Sequence, residues 1–188
     1  MPHHPLQPLQ WARAAVSRAD PRARLADRVA LHLRTQLPED HIVLARHAPR
    51  DGGERVPVVV ISSHGLVVVE PREDEGDLVC YQDHWYRRVD GGVAQIISDP
   101  PSLRARANAA RLRSDLGTGG FINVPVVALV LLTRGRPDDV RSSCVPVVAS
   151  LDALVRRLLL RPTPAAASPE RARALAAALD HAITLTVV

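Results

Sequence analysis

The sequence predicts an α/β fold in which a mixed sheet is flanked by helices. Apolar residues recur at helical spacing in four segments, and runs of apolar, β-branched residues lie between those segments. The chain has 188 residues, 46% of them hydrophobic and 23% charged, a composition typical of globular proteins. We expect an arm over 1–19, one domain over 20–160, and a linker with a C-terminal helix over 161–188.

Capping signals delimit the helices. Asp20 followed by a proline is an N-cap and first-turn pattern, and it predicts a first helix over 21–36. The second helix is predicted over 102–116, and the serines at Ser150 and Ser168 are the expected N-caps of the last two. In the first two helices the residues predicted to be buried are Leu25, Ala26, Val29, Ala30, Leu33, Leu37, Ala105, Ala109, Leu112 and Leu116.

Extended apolar runs predict the strands. Residues 56–61 and 66–70 are almost continuously apolar and β-branched, as strands at the centre of a sheet are. Gly65, in the short turn between them, can take a positive φ, so the two strands are expected to form an antiparallel hairpin. The other predicted strands are 41–47, 79–82, 85–89, 126–133 and 145–148. We expect all of them around one mixed sheet.

Composition excludes several classes of function. All 24 basic residues are Arg, so every mechanism that needs a lysine is excluded. Cys80 and Cys144 are too few for a disulfide framework or a paired-cysteine metal site, and both are predicted to be buried thiols. The chain shows no apolar span long enough for a membrane, no signal segment and no Gly-rich phosphate loop. We therefore expect a cytoplasmic protein with no membrane partner and no nucleotide cofactor.

Charge is unevenly distributed along the chain. Residues 1–50 carry a net +4, residues 51–100 a net −6, residues 101–150 a net +4 and residues 151–188 a net +2. An acidic centre between basic segments suits a carboxylate site beside a surface that binds a polyanion, and it equally suits ordinary solvation.

The segment over 56–72, VPVVVISSHGLVVVEPR, resembles the central motif of the NERD family, the nuclease-related domain of the PD-(D/E)xK nuclease superfamily. The helix that carries Asp27 resembles the family's opening helix, and residues 83–92 resemble its tryptophan hairpin. Residues 101–105 resemble the start of its Pro-x-x-Gln-Ala helix. The resemblance covers about residues 20–160 and implies a restriction-endonuclease-like core with a mixed central sheet.

The resemblance also implies a metal site. In that superfamily an Asp and the Glu of a Glu-x-Lys motif bind a divalent metal, the Lys orients the attacking water, and an acid of the first helix assists. By this resemblance Asp27, Glu70 and Arg72 are the candidate catalytic residues, with Asp27 and Glu70 as ligands of Mg²⁺. Two positions depart from the pattern: Pro57 stands where the Asp is expected, and Arg72 stands where the Lys is expected. A proline removes the metal-binding carboxylate, and the high pKa of arginine makes it a poor residue for activating water. We expect impaired cleavage.

Each candidate has a plainer interpretation. Asp27 could pair with Arg24 or Arg34 on the surface, Glu70 could be a solvated charge at the end of a strand, and Arg72 could pair with Glu70 or Glu73. Two acids just upstream, Asp51 and Glu54, could replace the missing ligand through a bulge, but regular strand alternation points Glu54 away from position 57.

Four arginines of the second helix are candidate nucleic-acid contacts. At 100° per residue Arg104 and Arg111 lie on one flank of the buried stripe, and Arg106 and Arg113 lie on the other. We expect a degenerate NERD-like domain that binds nucleic acid or another protein chain. The alternative is a Mg²⁺-dependent DNA nuclease with a rearranged metal site, and a third interpretation is a structural partner that binds no nucleic acid.

Overall fold

The computed structural model describes residues 20–89, 94–160 and 168–180. The predicted arm over 1–19 and the Pro/Ala linker over 161–167 lie outside the described residues. The predicted continuation of the last helix as far as Ile183 also lies outside them.

Nine strands and four helices make up the described chain. The helices are α1 (Pro21–Gln36), α2 (Pro101–Thr118), α3 (Leu151–Leu159) and α4 (Pro169–Asp180). The strands are β1 (Ile42–His47), β2 (Val56–Ser62), β3 (Gly65–Arg72), β4 (Asp77–Tyr81), β5 (His84–Arg88), β6 (Ala94–Ile97), β7 (Val126–Leu132), β8 (Arg136–Asp139) and β9 (Val147–Val148). The predicted N-caps are confirmed, since Asp20, Ser150 and Ser168 each accept a hydrogen bond from a backbone N–H of the first turn.

The first sheet has the strand order β1-β2-β3-β7-β9. β1, β2 and β3 pair antiparallel, whereas β3, β7 and β9 pair parallel, so the sheet is mixed as predicted. Alternate residues of its strands point to opposite faces. One face packs against α1 and α3, and the other packs against α2 and α4. The general α/β class is therefore confirmed.

The expectation of a single sheet is wrong, because β4, β5, β6 and β8 form a second sheet in the order β6-β5-β4-β8. β3 leads into β4 and β7 leads into β8. Because β3 pairs with β7 and β4 pairs with β8, both in parallel, the parallel pairing continues from the first sheet into the second. Two backbone hydrogen bonds carry the pairing across the break, from Thr133 N to Arg72 O and from Arg136 N to Gly76 O, each 2.9 Å long.

Pro57 lies within β2, an interior strand of the first sheet, where a proline removes a hydrogen-bond donor. Across from it Arg46 has φ 52°, and the pairing of β1 with β2 passes from Ala45–Val58 to His47–Val56 without using either residue. The alternation of β2 slips at the same point. Val56 lies with Val59 and Ile61 on the α2 side of the sheet, although regular alternation would place it on the α1 side.

The turn between β2 and β3 is the predicted hairpin turn, and Gly65 takes the expected positive φ, 125°. A Cβ at Gly65 would lie 2.2 Å from the carbonyl oxygen of Pro125, which accepts a hydrogen bond from Leu66 N–H at 2.9 Å. A side chain at this position would therefore separate the start of β3 from the start of β7.

Gly65→Ala is expected to destabilise the fold by about 2 kcal/mol or more, since it combines backbone strain with a steric clash. Gly117→Ala is the matched control, because a Cβ at Gly117 in α2 meets no atom within 4 Å. That control is expected to be neutral or to stabilise the protein by up to about 1 kcal/mol. Urea unfolding of both variants measures the difference, and equal unfolding midpoints would contradict the prediction.

Candidate functional site

Glu70 is a buried carboxylate on the α2 side of the first sheet. In β3 it continues the face formed by Leu66 and Val68, which belong to the core beneath α2. Its side chain is only 3% exposed. Oε1 accepts a hydrogen bond from Arg104 Nε at 3.1 Å, whereas Oε2 is buried and has no hydrogen-bond partner among the described residues. The expectation of a strand-end charge in solvent does not apply to a group buried in this way.

Arg104, in the first turns of α2, binds three carboxylates at once. Besides Nε with Glu70, its Nη2 lies 2.6 Å from Glu54 Oε1 and its Nη1 lies 3.2 Å from Asp99 Oδ2. The three acids come from β3, from the loop before β2 and from the loop before α2. We call Arg104, Glu54, Glu70 and Asp99 the Arg104 cluster.

Two members of the cluster were not expected from the sequence. Regular alternation predicted that Glu54 points to the opposite face from position 57, but Glu54 precedes β2, so strand alternation does not govern it, and its carboxylate reaches Arg104. No sequence pattern points to Asp99, since an acid before two prolines at a helix start carries no recognisable signal. Asp99 also accepts a hydrogen bond from Arg22 Nη2 of α1 at 2.7 Å.

Arg72 ends β3 beside the cluster, with a side chain that is 10% exposed. Its Nε donates to Asp74 Oδ2 at 2.7 Å, and its Nη1 donates to the backbone oxygen of Asp99 at 3.1 Å. The ion pairs of Arg72 are therefore with Asp74 and Asp99, not with Glu70 or Glu73 as the plainer interpretation supposed. Glu73 instead pairs with Arg28 of α1.

Burial controls the electrostatics of the cluster. Burial raises the pKa of the Glu70 carboxyl, and the positive charges of Arg104 and Arg72 only partly offset that increase. The opposite balance holds for Arg104. Burial lowers the pKa of its guanidinium, but Glu54, Glu70 and Asp99 raise it by more, so that the pKa lies above its ordinary value. Arg104 is therefore a permanent cation in the middle of the three acids.

Asp27 is not part of this cluster. It lies on α1, which covers the opposite face of the first sheet from α2, and its side chain is 53% exposed. Its Oδ2 lies 3.6 Å from Arg46 Nη1, so its partner is neither Arg24 nor Arg34. The structure thus brings Glu70 and Arg72 to neighbouring positions but does not bring Asp27 to Glu70.

The predicted nucleic-acid contacts of α2 are mostly engaged within the protein. Arg111 holds Asp51 with two hydrogen bonds, of 2.8 Å and 2.6 Å, and also donates to the backbone oxygen of Glu54. The bond from Arg111, together with the N–H of Gly53, lowers the pKa of Asp51 to about 2. The flank formed by Arg104 and Arg111 is therefore neutralised by carboxylates.

The other flank of α2 is less completely engaged. Arg113 Nη2 donates to the backbone oxygen of Val126 at 3.0 Å, and Arg106 lies close enough to Asp83 and Cys144 to influence their ionisation. Cys144 is exposed, so the prediction that both thiols are buried is wrong for it and confirmed for Cys80. Cys144 follows β8 in a loop, outside the two-residue strand β9.

The acids present do not form the magnesium site that the resemblance implies. Mg²⁺ needs oxygen ligands in a compact octahedron, but here the Arg104 guanidinium separates Glu54, Glu70 and Asp99, and Asp27 lies beyond the sheet. Within the described ranges no three His, Cys, Asp or Glu residues are placed to hold a metal ion.

In the part of the chain that the structure describes, no helix is both long and apolar enough to cross a membrane. Fold and site together define a two-sheet α/β domain with a cluster of one arginine and three acids, of which Glu70 is buried. Comparisons with protein-family models, with curated proteins and with solved structures give no match to this chain.

We expect the free energy of unfolding to depend on pH because of Glu70, and we expect Glu70→Gln to remove that part of the pH dependence. Burial raises the pKa of the Glu70 carboxyl above its ordinary value of 4.5. The contribution of Glu70 to stability is therefore fully present below pH 4.5 and is lost as the pH rises through the folded-state pKa. The unfolding free energy of Glu70→Gln minus that of the wild type should therefore increase with pH above 4.5. Denaturant unfolding between about pH 4 and 8 measures it, with exposed Glu75→Gln as control. A constant difference across that range would refute the assignment.

Proposed function

We propose that this chain is a degenerate NERD-like domain with a restriction-endonuclease-like core, which acts by binding a partner and does not cleave phosphodiesters. The observation that carries the proposal is the Arg104 guanidinium, which lies among the carboxylates of Glu54, Glu70 and Asp99 where a nuclease would need a metal. An internal arginine neutralises these acids but supplies no activated water.

Three further features support the loss of cleavage. The side chain of Pro57 offers no metal ligand, and Asp27 lies on α1, which covers the opposite face of the sheet from Glu70. Arg72, at the position of the family's lysine, is held by Asp74 and Asp99. No described residue of this set is therefore free to orient or deprotonate an attacking water.

The surface favours a protein partner over a nucleic acid. On the outer face of the second sheet, Val79 pairs with Tyr86 and Tyr86 pairs with Ile96, and Tyr81 shares this face. Ile96 is 71% exposed and Tyr81 is 62% exposed, so these side chains form a solvent-facing apolar row. Contiguous exposed apolar surface is typical of protein contacts, whereas the neutralised flank of α2 offers little to phosphates. A cytoplasmic location remains part of the proposal.

A second candidate is the Mg²⁺-dependent nuclease with a rearranged site. It is favoured by one observation, the buried Oε2 of Glu70 that has no partner among the described residues, since such an oxygen is a ready metal ligand. This candidate requires Arg104 to leave the cluster.

Cleavage of supercoiled plasmid separates these two candidates. The protein is incubated with Mg²⁺, with Mn²⁺ or with EDTA, alongside Glu70→Ala. We expect no nicking above the level of the variant under any of these conditions. Metal-dependent nicking that disappears in Glu70→Ala would establish the nuclease instead.

Binding to a short DNA duplex at increasing salt tests the choice of partner. We expect weak binding, without the roughly 10³–10⁵-fold loss of affinity between 50 and 200 mM salt that six to ten phosphate contacts produce. A steep salt dependence that is reduced in Arg113→Gln but not in the exposed control Arg173→Gln would show that nucleic acid is the partner.

A further inference from the structure

We infer that the open edge of β7 binds the carboxyl-terminal end of a partner protein, which adds to the first sheet as one more strand and places its terminal carboxylate at Arg113. The ligand is an extended peptide with a free carboxylate and with apolar side chains at its last and third-from-last residues. The inference goes beyond the proposed function, since it uses neither the Arg104 cluster nor the apolar row of the second sheet.

The backbone groups of β7 divide between its two sides. Leu66 N–H donates to Pro125 O at 2.9 Å, which fixes how β3 and β7 are bonded. In a parallel pair, alternate residues of a strand direct both of their backbone groups to the same neighbour, so the odd-numbered residues of β7 bond to β3. The even-numbered residues therefore direct their N–H and C=O groups to the β9 side. The hydrogen bond from Val130 N–H to Pro146 O, 2.9 Å long, agrees with this division.

β9 covers only one end of that side. In the described chain β9 pairs with β7 at Val130 and Leu131. The next residue to pair would be Pro146, but a proline has no N–H to donate to the C=O of Ala128. The N–H and C=O of Ala128 and the N–H of Val126 thus have no strand beside them among the described residues. An unpaired row of backbone donors and acceptors is the feature to which an extended peptide adds as a strand.

Burial makes pairing at this edge favourable. Val126 is 7% exposed and Ala128 is 8% exposed, so their backbone groups are largely removed from solvent. Unpaired buried backbone groups cost free energy comparable to a lost hydrogen bond. An added strand would remove that cost.

A groove of about 550 Å³ lies beside the open edge. Val124 and Val126 line it and belong to the core beneath α2, which places the groove on the α2 side of the sheet. Arg113 and Gly117 of α2 line it as well, together with Phe121. A mostly apolar groove of this size with one cation is suited to a ligand that combines apolar groups with an anion.

Arg113 sets the direction of the ligand. Its Nη2 donates to Val126 O at 3.0 Å, so the guanidinium lies at the start of the open edge, and it has no ion pair among the described residues. A peptide that runs antiparallel to β7 and bonds to both backbone groups of Ala128 brings its next-but-one residue opposite Val126. If the peptide ends there, its carboxylate accepts hydrogen bonds from Val126 N–H and from Arg113. A parallel peptide would instead bring its amino-terminal side, which carries a like charge, to Arg113.

Strand alternation sets which side chains of the peptide enter the groove. Residues directly opposite each other in an antiparallel pair lie on the same face of the sheet. The last residue of the peptide lies opposite Val126 and the third-from-last lies opposite Ala128, so both direct their side chains to the α2 side, where the groove is. Apolar side chains at these two positions match its lining.

Fluorescence anisotropy with labelled hexapeptides tests the inference. The peptides carry Val, Ile, Leu or Phe in all combinations at the last and third-from-last positions, and each is made with a free carboxylate and with a terminal amide. We expect saturable binding of at least one carboxylate peptide and at least about tenfold weaker binding of its amide. Arg113→Gln should remove most of that difference. Arg106→Gln, on the same flank of α2 but outside the groove, should keep it.

Gly117→Leu tests the groove in a variant that is expected to fold. A Cβ at Gly117 meets no atom within 4 Å, so the larger side chain fills the groove without a clash where it leaves the helix. Its Tm should equal or exceed that of the wild type, because leucine favours a helix more than glycine does. Its affinity for the carboxylate peptide should fall at least about tenfold.

Hydrogen exchange measured by NMR tests the added strand itself. The N–H of Ala128 points to the open edge, and a bound peptide should slow its exchange at least about tenfold. Unchanged exchange at Ala128 under saturating peptide would overturn the inference, even if the peptide binds elsewhere.

Failure of every carboxylate peptide to bind, or equal binding of carboxylate and amide peptides, would also overturn it. Concentration-dependent dimerisation of the wild type that Gly117→Leu abolishes, without peptide binding, would assign the edge to a second copy of the chain. Binding of a DNA duplex but of no peptide, weakened by Gly117→Leu, would assign the groove to nucleic acid. Nicking in the plasmid assay would reject the proposed function and leave the peptide site standing, whereas failure of the peptides would reject only that site.

Discussion

β3 and β7 pair in parallel over seven residues, from Leu66–Val126 to Arg72–Leu132, and nearly all of their side chains are buried. Parallel strands need cover on both faces, and α1 with α3 on one side and α2 with α4 on the other provide it. The same pairing carries the chain into the second sheet, as β4 beside β8. It also places Glu70 at the end of a buried strand, directly beneath α2.

A carboxylate at that position determines which side chains can lie around it. Glu70 is almost inaccessible to water, and a buried carboxylate in its charged form needs a counter-charge and hydrogen bonds from the protein. Arg104 supplies it, and the remaining hydrogen-bonding capacity of its guanidinium brings in Glu54 and Asp99. The loop before β2 and the start of α2 are thereby tied to the end of β3. The site is thus an ion-pair network that joins three segments of the chain.

Local sequence patterns predicted the helices and strands that depend on interactions between residues close together in the chain. The start of α1 follows from Asp20 and the proline after it, and the β2–β3 hairpin follows from two apolar runs and Gly65. By contrast β6 and β8 were not predicted. β6 is four residues long and largely exposed, and β8 has the sequence RPDD, which contains residues that strands usually avoid. Both exist because a neighbouring strand offers them hydrogen bonds, which is a tertiary effect.

The sequence by itself determined the four helices, the central hairpin and the absence of lysine chemistry, and its resemblance to a family made Glu70 a candidate site residue. Only the tertiary structure decided which acids share a space: it separated Asp27 from Glu70 by a sheet, and it joined Glu54 and Asp99 to Glu70 through Arg104. The reason is that alternation and helical periodicity act over a few residues. Which face of a sheet a helix covers, and where alternation slips beside Pro57, depend instead on packing between segments far apart in the chain.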